Sequence, residues 1–246
     1  LGQSGNTPSQ NLVDAYEMID GTPFDWNNPE HKSNPYANRD PRLAMSILTN
    51  NVEFKDRTIE AWTGGRDGKG VIHATRTGYY IYKFIDPNLD LLQNRTSVHH
   101  WVIMRYAEIL LSYAEAMNEA YGPTGNVGYR LNAVRALNQV RNRVGVEMPA
   151  VPTAISKEEL REKIRNERRV ELAFEDHRFW DVRRWMIAPE TLGTPLRGVE
   201  ITKISDEEFE YKPIEVEKRT FEPKMYLYPI PQADLNTTGW VQNPLW

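Results

Sequence analysis

Between residues 98 and 187 the apolar side chains return at the step of a helix, and no other feature limits the fold so tightly. Val102, Tyr106, Ile109, Leu110, Tyr113, Ala114 and Met117 recur every three or four positions, which lines one helical face. Gly122-Pro123 stops that run, because glycine accepts a left-handed cap and proline cannot continue the ladder. Val127, Leu131, Val134, Leu137 and Val140 predict a second helix, closed by Gly145. Ser156 and Glu159 have the spacing of a capping box and open a third, with Leu160, Ile164 and Leu172 on its face. After a break near Asp176 a fourth is expected, with Phe179, Val182, Trp185 and Met186 turned inward.

The flanks read differently. Residues 1–97 are dense in turn signals, among them Asp20-Gly21, Asn34-Pro35, Asp40-Pro41 and Gly64-Gly65. A short helix opening at Asn11 or Asp14 and ending before Gly21, a second over 41–48, and a strand over 78–84 fit between them. Residues 188–246 are expected to be irregular with strand patches. Phe209, Tyr211, Ile214 and Val216 alternate around Pro213, which confines that strand to an edge. No stretch marks a flexible linker, so residues 1–246 read as one unit. The fold class is mainly α, with tetratricopeptide-like helical hairpins, extended loops and a few short β-strands.

Composition narrows the function. The chain has 246 residues and no cysteine, which excludes a disulfide scaffold and zinc-thiolate sites. Its 30 Lys and Arg against 34 Asp and Glu give a net charge of −4, so the basic face of a nucleic-acid binder is not expected. No apolar run is long enough for a membrane helix, and the opening residues lack the pattern of a signal peptide. Residues 157–184 hold nine basic and eight acidic side chains. Glu167, Arg168, Glu171, Glu175, Arg178, Asp181 and Arg184 stand at helical steps, and a structural ion network is a better reading than a catalytic carboxylate pair.

Candidate chemistry is sparse. Gly64-Gly65-Arg66-Asp67-Gly68-Lys69-Gly70 fails as a phosphate loop, since Thr63 and Gly70 stand where glycine and Ser or Thr are needed. It reads as a flexible exposed loop. The five histidines form no metal-ligand spacing, and adjacent His99 and His100 point to different sides of any regular element. No metal or cofactor is expected. There is no Gly-x-Ser-x-Gly elbow. What remains is loop aromatics. Trp62 beside a glycine-rich turn can offer its face to the C–H side of a sugar, with Arg66 and Asp67 binding hydroxyls; Tyr36 and Trp26 are further candidates. Covering the core is the competing role for each of them.

Several segments together resemble the SusD/RagB family of bacterial outer-membrane nutrient-uptake lipoproteins. These are Leu12-Val13-Asp14-Ala15-Tyr16-Glu17-Met18 with Asp20-Gly21, Arg39-Asp40-Pro41-Arg42-Leu43, and Arg105-Tyr106-Ala107-Glu108-Ile109-Leu110-Leu111 with Ala114-Glu115-Ala116. The most specific is Ile164-Arg165-Asn166-Glu167-Arg168-Arg169-Val170-Glu171-Leu172-Ala173-Phe174-Glu175 with His177-Arg178-Phe179-Trp180-Asp181. Tyr228-Pro229-Ile230-Pro231 and Gln242-Asn243-Pro244 complete the set in family order. Asp176 stands where glycine is frequent, and Asp tolerates a left-handed turn at modest cost.

The resemblance implies a surface-exposed, non-catalytic glycan-binding protein of the cell outer membrane that delivers its ligand to a SusC-like TonB-dependent transporter. It also implies that this chain corresponds to the C-terminal half of the family, the lipid-anchored N-terminus and further helical hairpins lying outside it. Because glycan contacts in the family come from variable loops, Trp62, Tyr36, Trp26, Arg66 and Asp67 rest on their chemistry alone. A glycan hydrolase and a helical-repeat protein that binds peptides are the alternatives.

Overall fold

The helical middle of the chain is laid down as its apolar spacing predicts, with shifted ends. The computed structural model describes residues 6–90, 92–98 and 100–246, so the reading for His99 lies outside the described residues, as do residues 1–5. In chain order the elements are α1 (Gln10–Val13), α2 (Pro29–Ser33), α3 (Arg42–Ser46), β1 (Ile47–Leu48), β2 (Glu53–Phe54), β3 (Arg57–Thr58), β4 (Tyr80–Ile81), α4 (Tyr106–Tyr121), α5 (Ala133–Arg141), α6 (Lys157–Glu171), α7 (His177–Arg184), α8 (Ala188–Thr191), β5 (Leu196–Lys203), β6 (Phe209–Glu217), a 3₁₀ turn (Pro223–Tyr226) and α9 (Gln232–Thr238).

α4 ends at Gly122, which takes φ +74, and α6 opens with the Ser156–Glu159 capping box fully formed. α4 packs against α5 and α6, and their facing residues Leu111, Ala114, Leu137, Val140, Leu160 and Ile164 make one core. A second core, around Val13, Tyr16, Leu43, Ile47, Tyr79, Val199 and Ile201, lies under the loop-rich first third and the β5–β6 ribbon. Val170, near the end of α6, belongs to this second core, so one helix serves both.

Several element boundaries differ from the sequence reading. α4 starts at Tyr106, and Val102 lies in irregular chain before it. Val127 and Leu131 precede α5, because Asn132 caps that helix by accepting from the Arg135 amide. The helix placed before Gly21 is only one turn long, and Pro41 caps α3 where a longer helix over 41–48 is predicted. Asp176 adopts φ +62 and starts α7, as a left-handed break requires. Phe179 and Met186 are exposed rather than inward. Phe179 stacks edge-on with Trp180 and under the Arg183 guanidinium, and the left-handed φ of Met186 swings it out.

β5 and β6 form a two-stranded antiparallel ribbon with Val199 opposite Pro213. The Val199 amide points away from β6 and donates to Thr77 O at 2.9 Å. The pair is therefore of the non-hydrogen-bonded type, and the missing N–H of Pro213 costs the ribbon nothing.

The charged stretch is an ion network between elements. Arg42 contacts Asp40 and Glu167; Arg141 joins Glu167 to Glu17; Arg168 and Arg184 hold Asp181; Arg105 bridges Glu171 and Glu175. Glu167, Glu171 and Asp181 are all buried, so these pairs lie inside the protein rather than along a solvated face.

Candidate functional site

The Trp62 loop is held from below by the β2–β3 hairpin. Phe54 pairs with Arg57, and the two turn residues Lys55 and Asp56 both take positive φ, the geometry of a tight two-residue hairpin. That turn aims Arg57 at Asp67, whose carboxylate accepts two guanidinium bonds at 2.6 and 2.8 Å and the Glu60 amide at 3.0 Å. These contacts hold the Asp67 carboxyl below its ordinary value even though burial, the largest influence, pulls the other way. The Thr63 amide donates to Ile201 O at 2.8 Å and docks the loop on β5.

Gly64, Arg66, Lys69 and Gly70 are exposed in this loop as expected, whereas Gly65 and Gly68 are buried. A Cβ on Gly65 would lie 2.5 Å from Glu60 O and 2.9 Å from the Trp62 ring; one on Gly68 would lie 1.9 Å from Trp62 O. The glycines let the chain close tightly around the tryptophan.

Trp62 is the end of an aromatic row. Its ring lies 5.4 Å from Phe209, Phe209 lies 6.4 Å from Tyr211, and Tyr211 meets Tyr36 edge-on at 5.3 Å. Phe209 and Tyr211 share a face because alternate strand residues point the same way. The Tyr36 hydroxyl donates to that of Tyr79 at 3.3 Å, and burial raises the Tyr36 hydroxyl well above its usual range. Lys203 Nζ sits 4.9 Å from the Trp62 ring centre.

Beside the row runs a cleft of about 440 Å³ lined by Asn34, Tyr36, Asn50, Asn51, Glu208 and Phe209, among others. Asn50 is its most informative member. It is only 4% exposed, and its Oδ1 accepts the Ala61 amide at 3.1 Å. Its Nδ2 makes no hydrogen bond of sound geometry among the described residues. Burial raises the Tyr211 hydroxyl, and a hydrogen bond from the Asn50 side chain offsets part of that rise, so the nearest acceptor for Nδ2 is that hydroxyl, in poor geometry. A buried amide donor held in poor geometry keeps part of its desolvation penalty, which a better-placed oxygen can relieve.

The structure thus joins Tyr36 and Trp62 through β6, while Trp26, Arg66 and Asp67 do not line the cleft. Trp26 donates from Nε1 to Asp14 at 3.0 Å and packs on Phe24, partly covering the core. Asp67 faces inward on Arg57. Arg66 is exposed, with Glu60 at 3.4 Å. Sequence reasoning did not single out Asn50, Asn51, Lys203, Phe209 or Tyr211 as site residues. Only the alternation of Phe209 and Tyr211 was visible, and it did not say which loop they would meet. Among the described residues no cluster of three or more His, Asp or Glu is placed to hold a metal ion, and no helix is long and apolar enough to cross a membrane. His31 is structural: its Nδ1 accepts the Asp25 amide, and its ring stacks on Phe24.

Known proteins give the fold a context. A crystallised SusD-like protein from Bacteroides fragilis is 33% identical and superposes over 97% of this chain with a TM-score of 0.80, the match covering 46% of its own length. A second from the same species, described as a SusD-like carbohydrate-binding protein, is 31% identical with a TM-score of 0.72, the match covering 93% of this chain and 47% of its own. SusD-like protein P2 of Formosa agariphila is 34% identical over 120 residues, which is 47% of this chain and 22% of that protein. The chain therefore spans about half the length of the solved relatives and less of the curated one. The SusD family model matches residues 1–246, and on that match, with the fold shared with the solved relatives, the chain belongs to the SusD family.

Proposed function

We propose that this chain takes part in non-catalytic capture of an oligo- or polysaccharide at the surface of a bacterial outer membrane and in its delivery to a SusC-like TonB-dependent transporter. The observation that carries the reading is the cleft along Tyr36, Tyr211 and Phe209, where aromatic faces adjoin the buried amide of Asn50. Aromatic rings receive the C–H faces of sugars, and amides bind their hydroxyls. Trp62 and Lys203 extend the platform at one end, with Arg66 near it; Trp26 and Asp67 serve by shaping the loops.

The surface location, the lipid anchor and the transporter partner rest on family membership.

Affinity electrophoresis through gels carrying a panel of plant and host polysaccharides tests the reading, with Tyr36→Ala and Trp62→Ala alongside. Retardation by one glycan, weakened in both variants at unchanged circular dichroism, is the expected result. No retardation by any glycan would favour the peptide-binding alternative, and reducing-end release during incubation would show a hydrolase.

A further inference from the structure

The cleft beside Tyr36 carries a charge of one sign only. Its floor is neutral, since Asn50 and Tyr211 are buried there and Tyr36 and Phe209 are partly covered. Its open side presents Glu207 and Glu208, both exposed, and no Lys, Arg or His is among the described residues that line it. The turn from β5 to β6 puts the two carboxylates there. The amides of Ile204 and Ser205 both donate to Glu208 O, at 2.9 and 3.1 Å, and close the turn just before Phe209 enters β6.

The cations nearby are already engaged. At the Trp62 end Lys203 holds Asp206 at 2.7 Å, and Arg66 has Glu60 at 3.4 Å. Arg39, buried near Tyr36, directs its guanidinium to the carbonyls of Val13, Tyr16 and Pro35 and does not line the cleft. Residues 203–208 therefore hold one cation, Lys203, against Asp206, Glu207 and Glu208. The larger cleft of about 700 Å³ is the reverse case, with Arg169, Arg178, Arg197 and Arg219 on its walls against Asp14 and Glu190.

Sugar hydroxyls both donate and accept, so they suit amides and carboxylates alike. A uronate or a sulfate brings acceptor oxygens alone. Against Glu207 and Glu208 these would meet like charge, with no guanidinium to bind them. Both carboxylates are solvated, so they repel an anion without needing a cation from the ligand. We propose that this cleft selects uncharged glycans over uronate-bearing or sulfated ones, and that Glu207 and Glu208 impose the choice. The inference rests on the cleft beside Tyr36 being the glycan site.

Affinity electrophoresis tests it when each neutral polysaccharide is run beside its own lightly sulfated derivative, dextran beside dextran sulfate among them. At about 10 mM salt the sulfated member should bind about fivefold more weakly or worse. The gap should narrow at about 0.5 M salt, which screens charges within a few ångströms. The double variant Glu207→Gln, Glu208→Gln should narrow it at low salt. A gap that neither salt nor the variant changes would overturn the proposal, because lost hydroxyls rather than charge would then explain it. A sulfated glycan that binds as tightly as its parent and is weakened by Tyr36→Ala would also overturn it, while leaving the glycan site in place. Binding lost on Arg178→Gln but kept in Tyr36→Ala would move the site to the cationic cleft and remove both the proposal and the site it rests on. No retardation by either member of any pair would do the same.

Discussion

Arg42, in the first turn of α3, donates from Nη1 to Glu171 Oε2 at 2.8 Å and so ties together residues 129 positions apart in the chain. The same nitrogen reaches Glu167, and the rest of the guanidinium grips Asp40. Both ends are almost fully buried, so the loop-rich first third is fastened to α6 by a charge cluster inside the protein. The two cores meet on this helix, and the ion network marks the line between them.

Replacing Arg42 by methionine keeps the volume and removes the charge. Asp40, Glu167 and Glu171 would then lose a shared cation in a buried setting, for which a loss of about 3–5 kcal/mol is expected. Urea unfolding followed by tryptophan fluorescence measures it. A loss below about 1 kcal/mol, the size of an exposed pair, would show that the network does not fasten the two regions.

Acid should undo the same cluster. Burial alone would raise the Glu171 carboxyl, but hydrogen bonds from Arg143 and Arg105 and the charge of Arg42 outweigh it and hold the group at about 2, below its ordinary 4.5. Protons therefore bind the unfolded chain more readily. The stabilisation is complete above pH 4.5 and is lost as pH falls toward 2, an effect on the order of 3 kcal/mol from this group. Glu171→Gln should be markedly destabilised at pH 7 and should approach the parent protein near pH 2.5. A destabilisation equal at both pH values would contradict the assignment.

What was legible in the sequence was local. The capping box at Ser156 and the stop at Gly122 involve neighbours within one turn, so residue identity alone determined them. The charged run in 157–184 announced a network, but Glu167 and Glu171 find their cations on α3, on α5 and in loops far along the chain. The site was half visible for the same reason. Tyr36 and Trp62 could be named as aromatics in loops, yet only the return of β6 brings Tyr211 and Phe209 between them. The buried amide of Asn50 could not be seen at all, because burial and partners are properties of the packed state.

The Trp62 loop should tolerate no side chain at Gly68. An added Cβ would stand 1.9 Å from the Trp62 carbonyl oxygen, a backbone atom that cannot move without the loop. Gly68→Ala is expected to cost about 1–3 kcal/mol, shift Trp62 from Phe209 and alter tryptophan emission. Glycan retardation should weaken with it. Unchanged emission and stability would show that the loop is slack and that Trp62 is not held in place by it.

Asn50→Ala separates binding from folding. The substitution takes the acceptor from the Ala61 amide, which costs stability, and also deletes a buried donor that meets the Tyr211 hydroxyl only in poor geometry, which returns some. The two effects oppose, so the net change without ligand should be about 1 kcal/mol or less. With ligand the balance differs, since a sugar oxygen that accepts from Nδ2 loses a bond made inside a cleft that excludes bulk water. A drop of about tenfold in affinity, equivalent to about 1.4 kcal/mol, is expected. Thermal unfolding with and without saturating glycan reads both quantities in one experiment. The parent should gain more in melting temperature from ligand than the variant does, because stabilisation grows with the ratio of ligand concentration to Kd. An equal gain in both would mean that the Asn50 amide does not face the bound sugar and that the cleft beside Tyr36 is not where it sits.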